Sequence, residues 1–80
     1  MKRLYLKTLR KNRDLTLEDV ASLSNVSYNY ILSIENGHQG DNASFMIMGR
    51  LAKAYGITLE DLYHYEYKYL LKKGKIKLDD

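Results

Sequence analysis

Not one proline occurs among the 80 residues, and apolar side chains return every three or four positions along nearly the whole chain. Proline ends or kinks helices, and a three-to-four spacing gathers apolar groups on one helical face. Together the two features point to an all-helical domain. A chain of this length has room for one core, and such a domain buries only about 60% of the surface its unfolded form exposes. With no cysteine, disulfides, thiolate zinc sites and cysteine nucleophiles are excluded, so packing, helix caps or oligomerisation must hold the fold. The longest apolar run is far short of the roughly 18 residues of a membrane span, and no secretory leader pattern opens the sequence. The expectation is a soluble protein of a reducing cytoplasm.

Capping residues mark the joints. Leu6 and Leu9, preceded by Leu4 or Tyr5, make a first helix that should end between Asn12 and Asp14, with Leu15 closing the linker. Thr16 followed by Asp19 resembles a capping box and opens a second helix whose Val20, Ala21 and Leu23 face inward. Asn25 suits a left-handed stop, Val26 drops into the core, and Ser27 caps a third helix from Tyr28 to Asn36. Ile31 and Ile34 are its inward residues, and Gly37 is its exit. The Gly-, Asp- and Asn-rich stretch from His38 to Ala43 reads as an exposed loop. Ser44 caps a fourth helix with a buried stripe of Phe45, Met48, Leu51, Ala52 and Tyr55. Gly56 stops it, and Thr58 with Asp61 repeats the capping-box device for a fifth helix.

After Leu62 two forms stay open. Leu59, Leu62, Tyr63, Tyr67, Leu70 and Leu71 suit a helix ending at Gly74. Equally, Tyr65, Tyr67, Tyr69 and Leu71 alternate with His64, Glu66 and Lys68, and a turn at Lys73 and Gly74 would set Leu71 opposite Ile76 and Tyr69 opposite Leu78 in a β-hairpin.

Two short helices joined by a tight turn, the second with a glycine exit, form a helix-turn-helix unit. Its geometry needs a small residue where the helices cross, a left-handed position in the turn, and aliphatic residues tying the second helix to the core. Ala21, Asn25, Ile31 and Ile34 take those roles. The segment from Leu15 to Gly37, with its ending Ser33-Ile34-Glu35-Asn36-Gly37, resembles the Cro and lambda-repressor-like helix-turn-helix domains, also called the XRE family. The resemblance extends from Leu6 to Tyr63, through a first helix at Leu6 to Arg10 and later helices at Leu51 to Gly56 and Thr58 to Leu62. It implies a five-helix bundle that binds operator DNA, usually as a dimer, in bacteria, phages or mobile elements. It also implies an ion pair between Arg10 and Glu35 that locks the first helix to the third. Three features depart from the pattern. Leu17 stands where many members carry a phosphate-touching Gln, Asn25 replaces the more usual Gly, and the loop from Gly37 to Ser44 is a little longer than the common form.

If Ile31 and Ile34 face the core, then Tyr28, Asn29 and, one turn on, Ser33 face a DNA groove, with Leu32 beside them. Asn pairs bidentately with adenine, Tyr and Leu offer apolar surface to a thymine methyl, and Ser bonds to almost any base. Tyr30 divides between packing on the first helix and a phosphate contact. Asn36, His38 and Gln39 should reach the DNA backbone, where a contact positions rather than specifies; Arg50 and Lys53 are further candidates. The net charge of +3 and pI near 9.1 suit a polyanionic partner. The cations crowd both ends of the chain, at Lys2, Arg3, Lys7, Arg10, Lys11 and Arg13 and again at Lys68, Lys72, Lys73, Lys75 and Lys77.

The expected organisation is a DNA-binding domain over residues 1–63 and a Tyr- and Lys-rich extension over 64–80, with Tyr65, Tyr67, Tyr69, Leu71 and Ile76 as the homodimer contact. His38 and His64 have no acidic or thiol partner at metal-ligand spacing, so neither metal nor cofactor is expected. Nothing resembles a nucleophile–base pair, a phosphate cradle or a paired-carboxylate cleft, and no enzyme is expected. The reading is a cytoplasmic, nucleoid-associated transcriptional regulator of repressor type. The alternative is a helix-turn-helix scaffold used for protein contacts alone, antitoxin-like, with a toxin or antirepressor as partner.

Overall fold

The computed structural model describes residues 1–77, which form α1 (Leu4–Asn12), α2 (Leu17–Ser24), α3 (Tyr28–Glu35), α4 (Phe45–Tyr55) and α5 (Leu59–Lys73). Among the described residues there is no strand, so the all-α five-helix bundle anticipated from the sequence is the fold. Four of the helices open on a hydroxyl that accepts from the amide three residues on. Thr16 takes Asp19 N–H at 3.0 Å, Ser27 takes Tyr30 at 3.2 Å, Ser44 takes Ile47 at 3.1 Å and Thr58 takes Asp61 at 3.0 Å. At α2 the Asp19 carboxylate accepts the Thr16 amide in return at 2.8 Å, which completes a capping box. At α5 only the Thr58 half of that device forms.

The open question after Leu62 is answered by a single helix. α5 runs unbroken to Lys73 and stops at Gly74, which sits at φ 82° and turns its amide back to the Leu70 and Leu71 carbonyls. The hairpin alternative is thereby corrected, since Tyr69 and Leu71 are helical; Leu78, the partner it gave Tyr69, lies outside the described residues. The inward face of α5 is Leu62, Glu66, Tyr69 and half-buried Lys73, a four-three-four spacing. Two of those four are charged, so a count of apolar positions rotates the stripe to the wrong side. The boundary expected after residue 63 lies within the continuous helix α5.

Leu6, Val20, Val26, Ile31, Ile34, Leu51, Ala52, Ala54, Tyr55 and Leu62 form the core. Leu23, expected inside, is 60% exposed, while Ser24 is buried. The inward set of α2 is Leu17, Val20, Ala21 and Ser24, and Leu23 falls outside its arc. Phe45 does continue the inward stripe of α4, yet it is 73% exposed: it stands in the first helical turn, where the stripe runs past the elements that would cover it.

Glu35 ties three helices together. Arg10 of α1 grips its carboxylate with two bonds, Nε to Oε2 at 2.9 Å and Nη2 to Oε1 at 3.1 Å, and the Tyr55 hydroxyl of α4 donates to Oε2 at 2.6 Å. The Arg10–Glu35 pair implied by the family resemblance is present. Burial first, and then the Glu35 carboxylate, push the Tyr55 phenol far above its usual range, so it stays a donor. Arg10→Ala leaves a buried carboxylate without its cation and should destabilise the domain by about 3–5 kcal/mol. Thermal unfolding followed by circular dichroism should show a midpoint lower by more than about 10 °C; an unchanged midpoint would make the pair incidental.

Arg3 takes the place of a cap residue at α1, but its side chain points inward and is 1% exposed. Its Nε donates to Glu66 Oε1 at 2.6 Å and its Nη2 to Oε2 at 3.3 Å, while Tyr5 of α1 donates to the same carboxylate. A chain ended after Tyr63 loses Glu66, the carboxylate that takes two of the guanidinium's bonds, and leaves Arg3 with Asp41 alone to balance its charge. Urea unfolding should therefore show a loss of about 3–5 kcal/mol, a large share of the stability of a domain this small. A truncated chain with the full-length midpoint would mean that the second half of α5 is dispensable.

Candidate nucleic-acid interface

The turn between α2 and α3 is three residues long. Asn25 sits in the left-handed region at φ 55°, ψ 38°, with its amide returned to Ala21 O. Val26 buries its side chain while its amide takes the Ala21 carbonyl at 3.3 Å and the Ser24 hydroxyl at 3.2 Å. Ser27 then caps α3. The small side chains of Ala21 and Ser24 on the inward face of α2 let the two helices meet closely, which fixes the direction in which α3 projects.

Ile31, Ile34 and Glu35 of α3 are buried, so the opposite face looks outward. Tyr28, at 43%, and Asn29 are exposed in its first turn. Leu32 and Ser33 are half-buried on the flank, as is Asn36 at the end, and His38 and Gln39 are exposed just beyond it. These residues follow one another along one edge of α3 and its exit. Tyr30 is half-buried and packs against the core, and it borders a shallow hollow of about 380 Å³ shared with His38, Gln39, Asp41 and Asn42. Arg50 and Lys53 are exposed on α4, which packs chiefly on α2 and α5, so they stand apart from the α3 set.

The expected dimer contact is divided by the fold. Tyr65 is exposed and stacks flat on Tyr5 with ring centres 4.8 Å apart, and Tyr67 lies 6.0 Å from Tyr63. Leu71 and Ile76 are half-buried. Tyr69 is 5% exposed, donates to the Met1 carbonyl at 2.7 Å and lies under the Arg3 guanidinium at 4.4 Å. Its assignment to an outer surface is corrected, because residues 1–3 fold back across it.

Sequence reasoning passed over the network that holds the exit of α3. Arg3 Nη1 donates to the carbonyls of Ile34 and Gln39, each at 2.8 Å, and Nη2 reaches Asp41 Oδ1 at 2.8 Å. Lys73 donates to the Gly37 carbonyl at 3.0 Å and to Asp41 Oδ2 at 2.9 Å. Burial works against the charge on Arg3, but the hydrogen bonds and proximity to Glu66 outweigh it and raise the group's pKa. Burial first, and Glu66 next, push the Tyr5 phenol far above its usual range. Gly37 belongs to this junction. At φ +81° a Cβ on it would lie 1.8 Å from the Met1 carbonyl oxygen and 2.8 Å from the Tyr69 hydroxyl. The one sequence signal was the position of Glu66, four residues after Leu62 and three before Tyr69.

The helix-turn-helix family pattern matches residues 6–62. Over 57 residues the chain is 39% identical to the HTH-type transcriptional regulator DdrOP3 of Deinococcus deserti. That stretch is 71% of this chain and 43% of the relative, so the chain spans less than half the length of the relative it matches. The chain belongs to the helix-turn-helix family of XRE type, a class of DNA-binding regulators of transcription.

Burial alone would raise the pKa of the Asp41 carboxyl, but Lys73 and then Arg3 hold it below the usual carboxylate range. A lowered folded pKa stabilises the native state in full above the ordinary value, and that contribution fades as pH falls through the folded one. The protection of the amides in residues 37–41, taken relative to the exchange rate of an unstructured chain at the same pH, should therefore fall on acidification below about pH 4, and the variant Asp41→Ala should show no such acid limb. An identical acid limb in both would remove Asp41 as its cause.

Proposed function

We propose that this chain is a sequence-specific transcriptional repressor that binds double-stranded DNA as a homodimer, with α3 in the major groove. The observation that carries the reading is the outward first turn of α3, where Tyr28 and Asn29 are exposed while Ile31 and Ile34 anchor the helix from behind. An uncharged face suits base edges, because it reads donors and acceptors without seizing the nearest phosphate. Asn29 pairs with an adenine, Tyr28 and Leu32 meet thymine methyls, and Ser33 bonds a base edge or fills the flank. Asn36, His38 and Gln39 contact the backbone beyond the helix, with Arg50, Lys53 and the hydroxyl of Tyr30 as outer contacts. The role for which the Deinococcus relative is named, transcriptional regulation, supports this reading.

One recognition helix spans too few base pairs to select a site in a genome, and a dimer doubles the site. Exposed Phe45, Met46 and Tyr63 on α4 and α5 support self-association. They move the proposed contact from Tyr69 towards the shared face of those helices, with a hollow of about 450 Å³ lined by Phe45, Met48, Leu59 and Tyr63 at its centre. A second reading, binding of an acidic protein partner such as an antirepressor or toxin, is favoured by another groove. It lies between α1 and α5, has a volume of about 460 Å³, and combines Leu4, Tyr65 and Leu71 with Lys2, Lys68 and Lys72. A cytoplasmic, nucleoid-associated site of action follows from the DNA-binding reading, and among the described residues no helix is long and apolar enough to cross a membrane.

Selection from random duplexes gives the operator, and gel shifts at two salt concentrations then separate the readings. Specific binding with a steep salt dependence supports the repressor, since phosphate contacts release counterions. On the selected site Asn29→Ala should cost about 1–3 kcal/mol while binding to random DNA stays nearly unchanged. Equal losses on both would place Asn29 on the backbone, and no enrichment in the selection would leave the protein-partner reading in its stead.

A further inference from the structure

The loop after α3 is held by both ends of the chain. Its Gly37 and Gln39 carbonyls accept from Lys73 and Arg3, at 3.0 and 2.8 Å, and its Asp41 carboxylate receives both cations, one on each oxygen. The His38 and Gln39 amides turn back to the Ser33 carbonyl at 2.9 and 3.4 Å. With the backbone bound inward, the two side chains are left exposed. Lys73 lies in the last turn of α5, eleven residues past the end of the family match at 62, so the matched pattern does not itself specify this bracing.

We propose that the Asp41–Lys73 pair, backed by Arg3 and Glu66, is a brace that sets the His38–Gln39 segment against the DNA backbone, which makes Asp41 and Lys73 positioning residues for the phosphate contact. The proposal rests on the reading of His38 and Gln39 given above. A loop that contains two glycines at positive φ, Gly37 and Gly40, has many conformations open to it, and ordering it on DNA would weaken binding. The brace orders it beforehand. It also accounts for an acidic residue beside a surface that meets phosphates: Asp41 carries its charge there because two cations face it.

The sign of one substitution tests the idea. Asp41→Asn removes a negative charge, so simple attraction to DNA calls for tighter binding, whereas a broken brace calls for binding weaker by about three- to tenfold, the worth of one lost hydrogen bond. The full chain is titrated with its selected operator, and amide exchange of residues 37–41 is measured on the free protein. Weaker binding with faster exchange supports the brace; equal or tighter binding overturns it. Lys73→Met, which leaves the buried Arg3–Glu66 pair intact, serves should Asp41→Asn unfold. Through the brace it weakens binding and leaves the salt slope unchanged; a slope smaller in magnitude by about 0.9 makes Lys73 a phosphate ligand in its own right and overturns the proposal. A wild-type chain that enriches no duplex removes the premise and the proposal with it, and is told apart by failing before any substitution is made.

Discussion

The carboxylate of Glu35 is the point on which the arrangement depends. It lies at the last residue of α3, buried, and receives the Arg10 guanidinium from α1 and the Tyr55 hydroxyl from α4. A carboxylate out of water is tolerable only if its oxygens are filled, and these donors come from different helices, so the charge can be satisfied in one assembly alone. Apolar packing would accept several rotations of α3 about its own axis. The Glu35 junction accepts one, and that rotation decides which residues face outward.

Much of this was legible in the sequence because caps and turns are local. A hydroxyl three residues ahead of its amide, an Asn at the left-handed position and a glycine after a helix act within a few residues, and the helix boundaries follow from them. The outward placement of Tyr28 and Asn29 was legible for a related reason: once Ile31 and Ile34 are inside, helix geometry leaves the opposite face no choice. What escaped was non-local. Arg3 and Glu66 are 63 positions apart, and each reads as a surface charge until its partner is known. Tyr69 was taken for adhesive surface because aromatic content was weighed against a core of apolar residues, whereas the site that buries it is built from a guanidinium and a backbone carbonyl. Leu23 and Phe45 failed more simply, one outside the inward arc and one beyond its cover.

The charge of the chain also changes meaning in three dimensions. Its formal +3 is unchanged by the buried ion pairs, which take three cations and three carboxylates together, but the pairs decide which cations remain available. Arg3 and Arg10 are paired with buried carboxylates, Lys73 faces Asp41, and Arg13 donates to the Ala54 carbonyl at the end of α4 at 2.6 Å. The three paired cations give the DNA surface little, whereas Arg13 is exposed and keeps its charge. The field that a polyanion meets comes from the exposed lysines with Arg13 and Arg50, and the number of phosphates neutralised should be judged from them rather than from composition.

The junction of Met1, Arg3, Glu66 and Tyr69 joins segments more than sixty positions apart, and this has a kinetic meaning. The contacts among α2, α3 and α4 span short stretches of chain and can form early, but the clasp must close a loop of more than sixty residues, at the entropic expense that long closures carry. It is therefore a late event in folding and an early one in partial opening. On the ribosome, where the chain emerges from its N-terminal end, α3 can form well before Lys73 is made. The loop that follows it takes its final shape only once the last turn of α5 has emerged.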